Sequence, residues 1–461
     1  MASGVTRLFH SLRSRLGELW WYTLLGFIVS RVGDVVMLYI GIYIVPKVMP
    51  ANQLGAVMPL MSVGAFVGLP IAILLLPVGK FLSVFAARGE YGKVKSLLLD
   101  SICVNLAFAV VVLVWLSYAG GGILERMHVT DRRILIPVAY FAVLSCLDPI
   151  ISAAQRALKC FRSMLVAGLG GPYVRLAGML LLLAPFGAFG YLSAQMAMSL
   201  WGVGCALVAL HLYLRKCGGR KSYRADIRDM VAYSLPLLAM TFAGRIQGPV
   251  ETFVIRHRLP EEVSAGYYFS TMFGAIPGYF TSALVAFFWP IVSEKFEKGE
   301  STRKVLMQSM LFNLVVGGLT LLAVALVVPY VFRLPGPWKG YEEYSRYVWQ
   351  AGLITLLKSV QAIYTSHEGA CRRFVYVRYM VPLMLHEAAV LYGLPAWSGA
   401  APYVPAGLWR FVDAHWANTL PVFLRTTIFF NALFSLSMVA DWLVVRRREA
   451  AAAPAPAGAR N

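Results

Sequence analysis

Long uninterrupted apolar runs, rather than alternating or amphipathic stretches, set the pattern of this chain. Leu54 to Leu76 (LGAVMPLMSVGAFVGLPIAILLL) and Asn313 to Val331 (NLVVGGLTLLAVALVVPYV) carry no charge. Each meets the roughly 20 residues that a helix needs to cross a hydrocarbon core. Read in this way, the sequence predicts about twelve spanning helices. They are placed at residues 20–45, 54–78, 96–118, 133–153, 164–184, 188–214, 230–256, 264–290, 305–330, 346–366, 374–394 and 421–444. Little is left for a soluble domain, so the expected fold class is an all-α integral membrane protein. The two ends differ from the rest. Val5, Leu8, Phe9, Leu12, Leu16, Leu19 and Trp20 recur at helical spacing around Arg7, Arg13 and Arg15, which predicts an amphipathic helix over residues 1–19 lying on the inner leaflet. A short apolar core with a small-residue cleavage site is missing there, so a removable signal peptide is not expected. The Ala/Pro-rich end predicts a disordered tail over residues 446–461.

Composition agrees with this pattern. The chain is 59% hydrophobic and 14% charged, against roughly 45–50% and 25% for soluble domains. A formal charge of +20 would suit nucleic acid, but the basic residues are scattered over many short loops instead of forming a face or stripe. Nucleic acid is therefore not an expected partner, and membrane lipids are. Basic loops resist translocation. One alternating set of connections holds Arg88, Lys93, Lys95, Lys159, Arg162, Arg215, Lys216, Arg220, Lys221, Lys295, Lys298, Arg372 and Arg373, among others. The opposite set is sparse, with Lys47, Arg126, Arg132, Arg133, Arg256, Arg258 and a few more. With an even helix number, both termini are expected in the cytoplasm and the protein in the cytoplasmic (inner) membrane, as a multi-pass chain. The six cysteines show no CxxC or Cys/His spacing, so free thiols and no metal are expected. The absence of GxxxxGK[ST] argues against ATP hydrolysis by this chain, and no cofactor is expected.

Three stretches recur at an interval of about 210 residues. FAARGEYGKVKSLLLDSICVNL (Phe85 to Leu106) matches KFEKGESTRKVLMQSMLFNL (Lys295 to Leu314) in a Gly-Glu turn, a Lys-Val pair and a Ser-x-x-x-Asn-Leu segment. Arg31 precedes Pro46 by the same interval as Arg245 precedes Pro260, which places two intramembrane arginines at matching depth. QRALKCFRSM (Gln155 to Met164) resembles EGACRRFVYV (Glu368 to Val377). The chain is thus expected to be one six-helix unit used twice. An even number of spans per unit makes the halves parallel, related by an axis along the membrane normal. The expected organisation is an N-lobe bundle over 20–214, a basic cytoplasmic linker over 215–229 and a C-lobe bundle over 230–445.

YSLPLL (Tyr233 to Leu238) and SAGYYFSTMFGAIPGYFTSALVAFFWPIVSEKFEKGE (Ser264 to Glu300) resemble the multidrug/oligosaccharidyl-lipid/polysaccharide (MOP) exporter superfamily, and most of all its polysaccharide (O-antigen type) flippases. The resemblance extends to about residue 394 and fades in WSGAAPYVPAGLWRFVDAHW (Trp397 to Trp416). It implies two pseudo-symmetric six-helix bundles in a MATE-like V shape around a cavity open alternately to the two sides. It also implies a polyprenyl-diphosphate-linked oligosaccharide as substrate and no enzymatic activity. Glycan polymerase or glycosyltransferase partners, acting in O-antigen or lipopolysaccharide synthesis, would accompany that role.

A charge at mid-bilayer costs at least about 2.5–3.5 kcal/mol, so it persists only where it faces protein or water. The intramembrane basic residues are Arg31, Arg175, Arg245, Lys358 and Arg425; the acidic ones are Asp34, Asp148, Glu387 and Asp441. Guanidinium groups donate paired hydrogen bonds to phosphate and keep their charge when desolvated. Arg31 and Arg245, with Arg175 and Lys358 in support, are therefore the expected clamp on the diphosphate. Asp34, Glu387 and His386 are candidates for ion coupling, an imidazole beside a buried carboxylate titrating near neutrality. The competing structural reading is ion pairing: Arg31 and Asp34 share a helical face at i,i+3, and Arg175 could pair with Glu387. Two other functions fit the composition. A cation-coupled multidrug exporter of the same superfamily would favour acidic cavity residues, which keeps Asp34 in view. An integral-membrane glycosyltransferase or polymerase would need a large extracytoplasmic loop, for which only residues 395–420, with Asp413 and His415, are available.

Overall fold

The structure is a computed structural model. It describes residues 31–67, 76–232 (except 128, 130, 159 and 216), 251–256, 259–279, 299–393 (except 337 and 372) and 420–452, with Gly248, Phe288, Val292, Lys295 and Phe296 singly. Every regular element among these residues is helical. The expected amphipathic segment 1–19, Arg245, and the loop after Gly393 that holds Asp413 and His415 lie outside the described residues.

The first helix, α1 (31–48), changes character midway. A π turn occupies Ile40–Ile44, with the Val45 N–H bonded to the Ile40 carbonyl. Pro46 explains its place, because proline has no N–H to give to Ile42 and its ring collides with that carbonyl in a regular helix. Next come α2 (Ala51–Val67), α3 (Leu76–Ala87), α4 (Tyr91–Arg126) and α5 (Leu135–Ala157). The following run, Phe161–Leu214, is broken at Gly187 (φ 52°, ψ −126°) into α6 (161–186) and α7 (188–214). Only a residue without Cβ adopts that backbone conformation readily, so Gly187 fixes the reversal between the fifth and sixth expected spans. Later elements are α8 (Glu261–Gly274), α9 (Arg303–Arg333), α10 (Val348–Ala370), α11 (Val377–Gly393) and α12 (Leu420–Ala452).

Five helical runs among the described residues are long and apolar enough to cross a membrane: Tyr91–Glu125, Arg132–Ala157, Phe161–Leu214, Arg303–Arg333 and Phe423–Val444. Their outer faces are greasy. On α4, Val110, Val111, Val114, Trp115 and Tyr118 stand exposed, the inverse of a water-soluble helix and suited to lipid. One expectation is corrected at the end of the chain: α12 runs to Ala452, through positions assigned to the disordered tail. Arg, Glu and Ala are strong helix formers, and nothing breaks the helix before Pro454.

The sequence repeat has a backbone counterpart. After α3, Gly89 takes φ 72°, and so does Gly299 before α9. At the first turn the Glu90 N–H bonds the Phe85 carbonyl and the Gly89 N–H the Ala86 carbonyl. At the second, Glu300 bonds Lys295 and Gly299 bonds Phe296 in the same two ways. Both are Schellman caps, in which a left-handed glycine lets two backbone amides close the helix end. The other repeated turn behaves alike: the Cys160 N–H reaches the Gln155 carbonyl and the Arg373 N–H the Glu368 carbonyl, each at 2.8 Å.

Contacts divide the chain into two compact units: residues 1–273, 325–348 and 418–420, and residues 274–324, 349–417 and 421–461. In the first unit, Leu82, Phe85, Leu98, Cys146, Ile150 and Leu210 anchor a core among α3, α4, α5 and α7. Small residues allow close approach: a Cβ on Gly79 would stand 2.8 Å from that of Ala153, as expected where helices associate by packing rather than by exclusion of water. In the second unit, Leu306, Ile363 and Cys371 pack around Phe288 and Val292.

Candidate functional site

Each unit holds a set of buried polar side chains. In the first, Arg31 and Asp34 on α1 form an ion pair of 3.0 Å at i,i+3, both partly buried. Met37 lies three residues beyond Asp34 on α1. Arg175, from the middle of α6, reaches its thioether with Nη1 (2.9 Å) and donates through Nη2 to the hydroxyl of Tyr191 on α7 at 2.6 Å. The guanidinium also stacks over the Tyr191 ring, 5.1 Å from its centre. Arg175 is buried, and its Nε has no partner among the described residues. Among the described residues no carboxylate pairs with it. The reversal at Gly187 makes this arrangement possible, because it folds α7 back along α6. It is secured by Gln53 of α2, whose Oε1 accepts the Ala188 N–H at 3.0 Å.

In the second unit, Glu387 on α11 is buried and accepts from Asn431 Nδ2 of α12 at 3.4 Å. Gln361 of α10 donates to both the side-chain oxygen and the carbonyl of Asn431 at 3.1 Å. Lys358, one turn before Gln361 on α10, is half-buried. His386 stands edge-on to the Phe430 ring, 5.8 Å between centres, on the exposed side of α11. Consecutive helical residues do not face each other, so His386 and Glu387 occupy different surroundings. The peripheral charges are locally served: Asp148 accepts from Ser152 and Asp441 from Tyr364, while Arg425 is exposed.

Of the proposed clamp, then, Arg31 and Arg175 sit in one unit and Lys358 in the other, and Arg245 lies outside the described residues. Sequence reasoning did not single out Met37, Tyr191, Gln361 or Asn431 as partners. Asn431 and Gln361 carried a signal, as amides within apolar runs; Met37 and Tyr191 carried none. A cavity of about 380 Å³ opens beside Gln53, Asp131, Arg133, Phe186 and Phe189, and none of the expected clamp residues lines it.

No protein-family model and no curated sequence matches the chain. Solved structures do. A multidrug resistance MATE-family transporter of the MOP superfamily in its inward-facing conformation superposes with a TM-score of 0.66 at 12% identity, over 94% of this chain and 100% of that one. The chain has the MATE fold. The outward-facing conformation of a MATE-family transporter gives 0.57 at 12% identity, over 94% and 97% of the two chains. A MOP-superfamily transporter from Pyrococcus furiosus, in which reverse polarity of the binding pocket suggests a different function, gives 0.57 at 14%, over 95% and 98%. The MATE fold accounts for the all-helical architecture expected from the sequence.

Proposed function

We propose that this protein is a MOP-superfamily transporter whose cargo is a polyprenyl-diphosphate-linked oligosaccharide. It moves that cargo across the cytoplasmic membrane by alternating access, supplying membrane glycosyltransferases or a polymerase in cell-surface polysaccharide synthesis. The observation that carries the reading is Arg175. Among the described residues this buried guanidinium is held by a phenol and a thioether, and burial of a charge without a counter-ion is costly. An anionic group entering beside it would recover that cost, whereas a cationic cargo would add to it. Arg31, six residues before Met37 and so about 9 Å along the helix axis, lies on the same helix as one of Arg175's partners. The Pyrococcus furiosus relative is a precedent for altered pocket polarity on this fold.

The second reading is cation-coupled multidrug export. It is supported by the multidrug relatives and by the carboxylates Asp34 and Glu387, which could hold a cation. Reconstituted vesicles separate the two. With Arg175→Gln, flipping of a fluorescent polyprenyl-diphosphate glycan should fall at least about tenfold, the scale of one lost charge-assisted contact of some 1.5–3 kcal/mol, and Arg175→Lys should restore part of it. Unchanged glycan flipping, together with efflux of a cationic dye that improves in Arg175→Gln, would decide for the multidrug reading. Running both cargoes with and without a proton or sodium gradient identifies the coupling ion.

A further inference from the structure

A second buried arginine has no part in the cargo site. Arg256 lies at the end of the seventh expected span, on the side that the charge distribution assigns to the exterior, and its side chain is 1% exposed. Nε donates to the carbonyl of Met127, the residue that caps the C-terminus of α4, at 3.1 Å. Nη2 donates to Glu261 at 3.1 Å, in the first turn of α8, and Nη1 is buried with no partner among the described residues. Arg256 therefore ties a helix end of the first sequence repeat to the first helix turn that follows it in the second.

The seam around it has a consistent character. Ser264 of α8 donates to the Gly55 carbonyl at 3.0 Å and Tyr268 to the Gly41 carbonyl at 3.2 Å. Thr252 meets Ser62 at 3.0 Å and Thr271 meets the Met58 thioether at 3.7 Å. Gly55 is packed so closely that a Cβ there would stand 2.9 Å from Ser264 Oγ. Two of these hydroxyls rest on backbone carbonyls of α1 and α2, one on the Ser62 hydroxyl and one on the Met58 thioether, bonds that water can replace. Apolar contact shares the seam, since a Cβ on Gly41 would stand 3.1 Å from the Met272 sulfur, and the arginine at the rim regains hydration when it parts. As Arg31 stands to Arg245, so Ile42 stands to Arg256, so the tie belongs to one repeat alone.

We infer that Arg256 is a releasable latch on the extracytoplasmic seam: Glu261 holds it shut, and the desolvation of its guanidinium keeps the shut state only marginally preferred. A buried ion pair is often weaker than an apolar replacement, while loss of one partner alone leaves an uncompensated charge. The two halves of the pair therefore have opposite effects. Glu261→Gln favours opening; Arg256→Met favours closure. This inference rests on the alternating-access part of the proposed function and not on the cargo.

The test is substituted-cysteine labelling, which needs no cargo and so fails or succeeds independently of the flipping assay. In a chain with its six natural cysteines replaced, Ser264→Cys is exposed to a membrane-impermeant maleimide on the outer face of right-side-out vesicles. Glu261→Gln should label about tenfold faster than the parent, and Arg256→Met no faster or slower, in line with a shift in a two-state balance. A parallel chain retaining only Cys146, fully buried in the first unit's core, should stay unlabelled throughout. Faster labelling in both variants would mean an ordinary tether and overturn the inference. An unchanged rate in Glu261→Gln, which alters a half-exposed side chain, overturns it as well. So does labelling of Cys146, which reports general loosening, and so does failure of Arg256→Met to accumulate in the membrane.

Discussion

At the scale of the residue, the fold depends on a few positions whose backbone or charge has no substitute. Gly187 is one. Its left-handed conformation turns α6 into α7, and a Cβ there would run into the Gln53 amide oxygen. Gly187→Ala should therefore cost about 1–3 kcal/mol from backbone strain alone, before the collision is counted. The expected result is a thermal midpoint in detergent several degrees below the parent, with Tyr191 displaced from Arg175 and flipping reduced alongside. An unaltered midpoint would show that the turn tolerates a side chain. Arg175 and Arg256 are the complementary case. Both are buried guanidinium groups with one nitrogen unpartnered among the described residues, yet one faces a phenol and a thioether and the other a carboxylate.

At the scale of the element, the basic linker 215–229 is not a loose connection. Arg220 pairs with Asp100 on α4, and the Tyr223 hydroxyl donates to the other oxygen of the same carboxylate at 3.1 Å. Burial first, and that bond second, pushes the Tyr223 phenol above its ordinary value. Lys93 joins Asp226 at 3.0 Å, and the Lys221 N–H bonds the Gly92 carbonyl at 3.1 Å. Asp100 thus serves two linker residues at once. Asp100→Ala should leave the helices intact but release the strap, so that limited trypsin digestion cuts between Arg215 and Lys221 several-fold faster than in the parent. A digestion rate equal to the parent's would mean that the backbone bond and the Lys93 pair suffice. The Schellman turns at Gly89 and Gly299 show the opposite relation between sequence and element: a local Gly-Glu motif specifies a local backbone form, and it does so identically in both repeats.

At the scale of the whole molecule, the distribution of Lys and Arg makes a topological prediction. Alkaline phosphatase fused after Val129 should be active, and the same enzyme fused after Gly219 or at the C-terminus inactive, with a fluorescent reporter showing the reverse. Activity at Gly219 would invert the orientation and with it the placement of the Arg256 seam on the outer face. The all-helical membrane fold class was legible because it follows from local composition, and the described residues hold five helical runs able to cross a membrane. An apolar run of sufficient length is helical in lipid whatever its neighbours, since its backbone groups can be satisfied only within the segment. The break at Gly187 falls in the gap between the fifth and sixth expected spans, 164–184 and 188–214, whereas the π turn before Pro46 was not foreseen. Nor was the continuation of α12 to Ala452, because composition suggested disorder where helix propensity prevailed.

What the sequence determined, then, is which residues had to be accounted for: a set of charges too costly to face lipid, repeated turns, and spans in a fixed order. Beyond one helix, which of those charges find partners was decided by tertiary structure. Asp34 could be matched to Arg31 from the i,i+3 spacing, since both lie on one helix. The partners of Arg175 and Arg256 come from other parts of the fold, and one of them is a backbone carbonyl. Every residue carries such a carbonyl, so no side-chain pattern marks the one that a distant arginine will find.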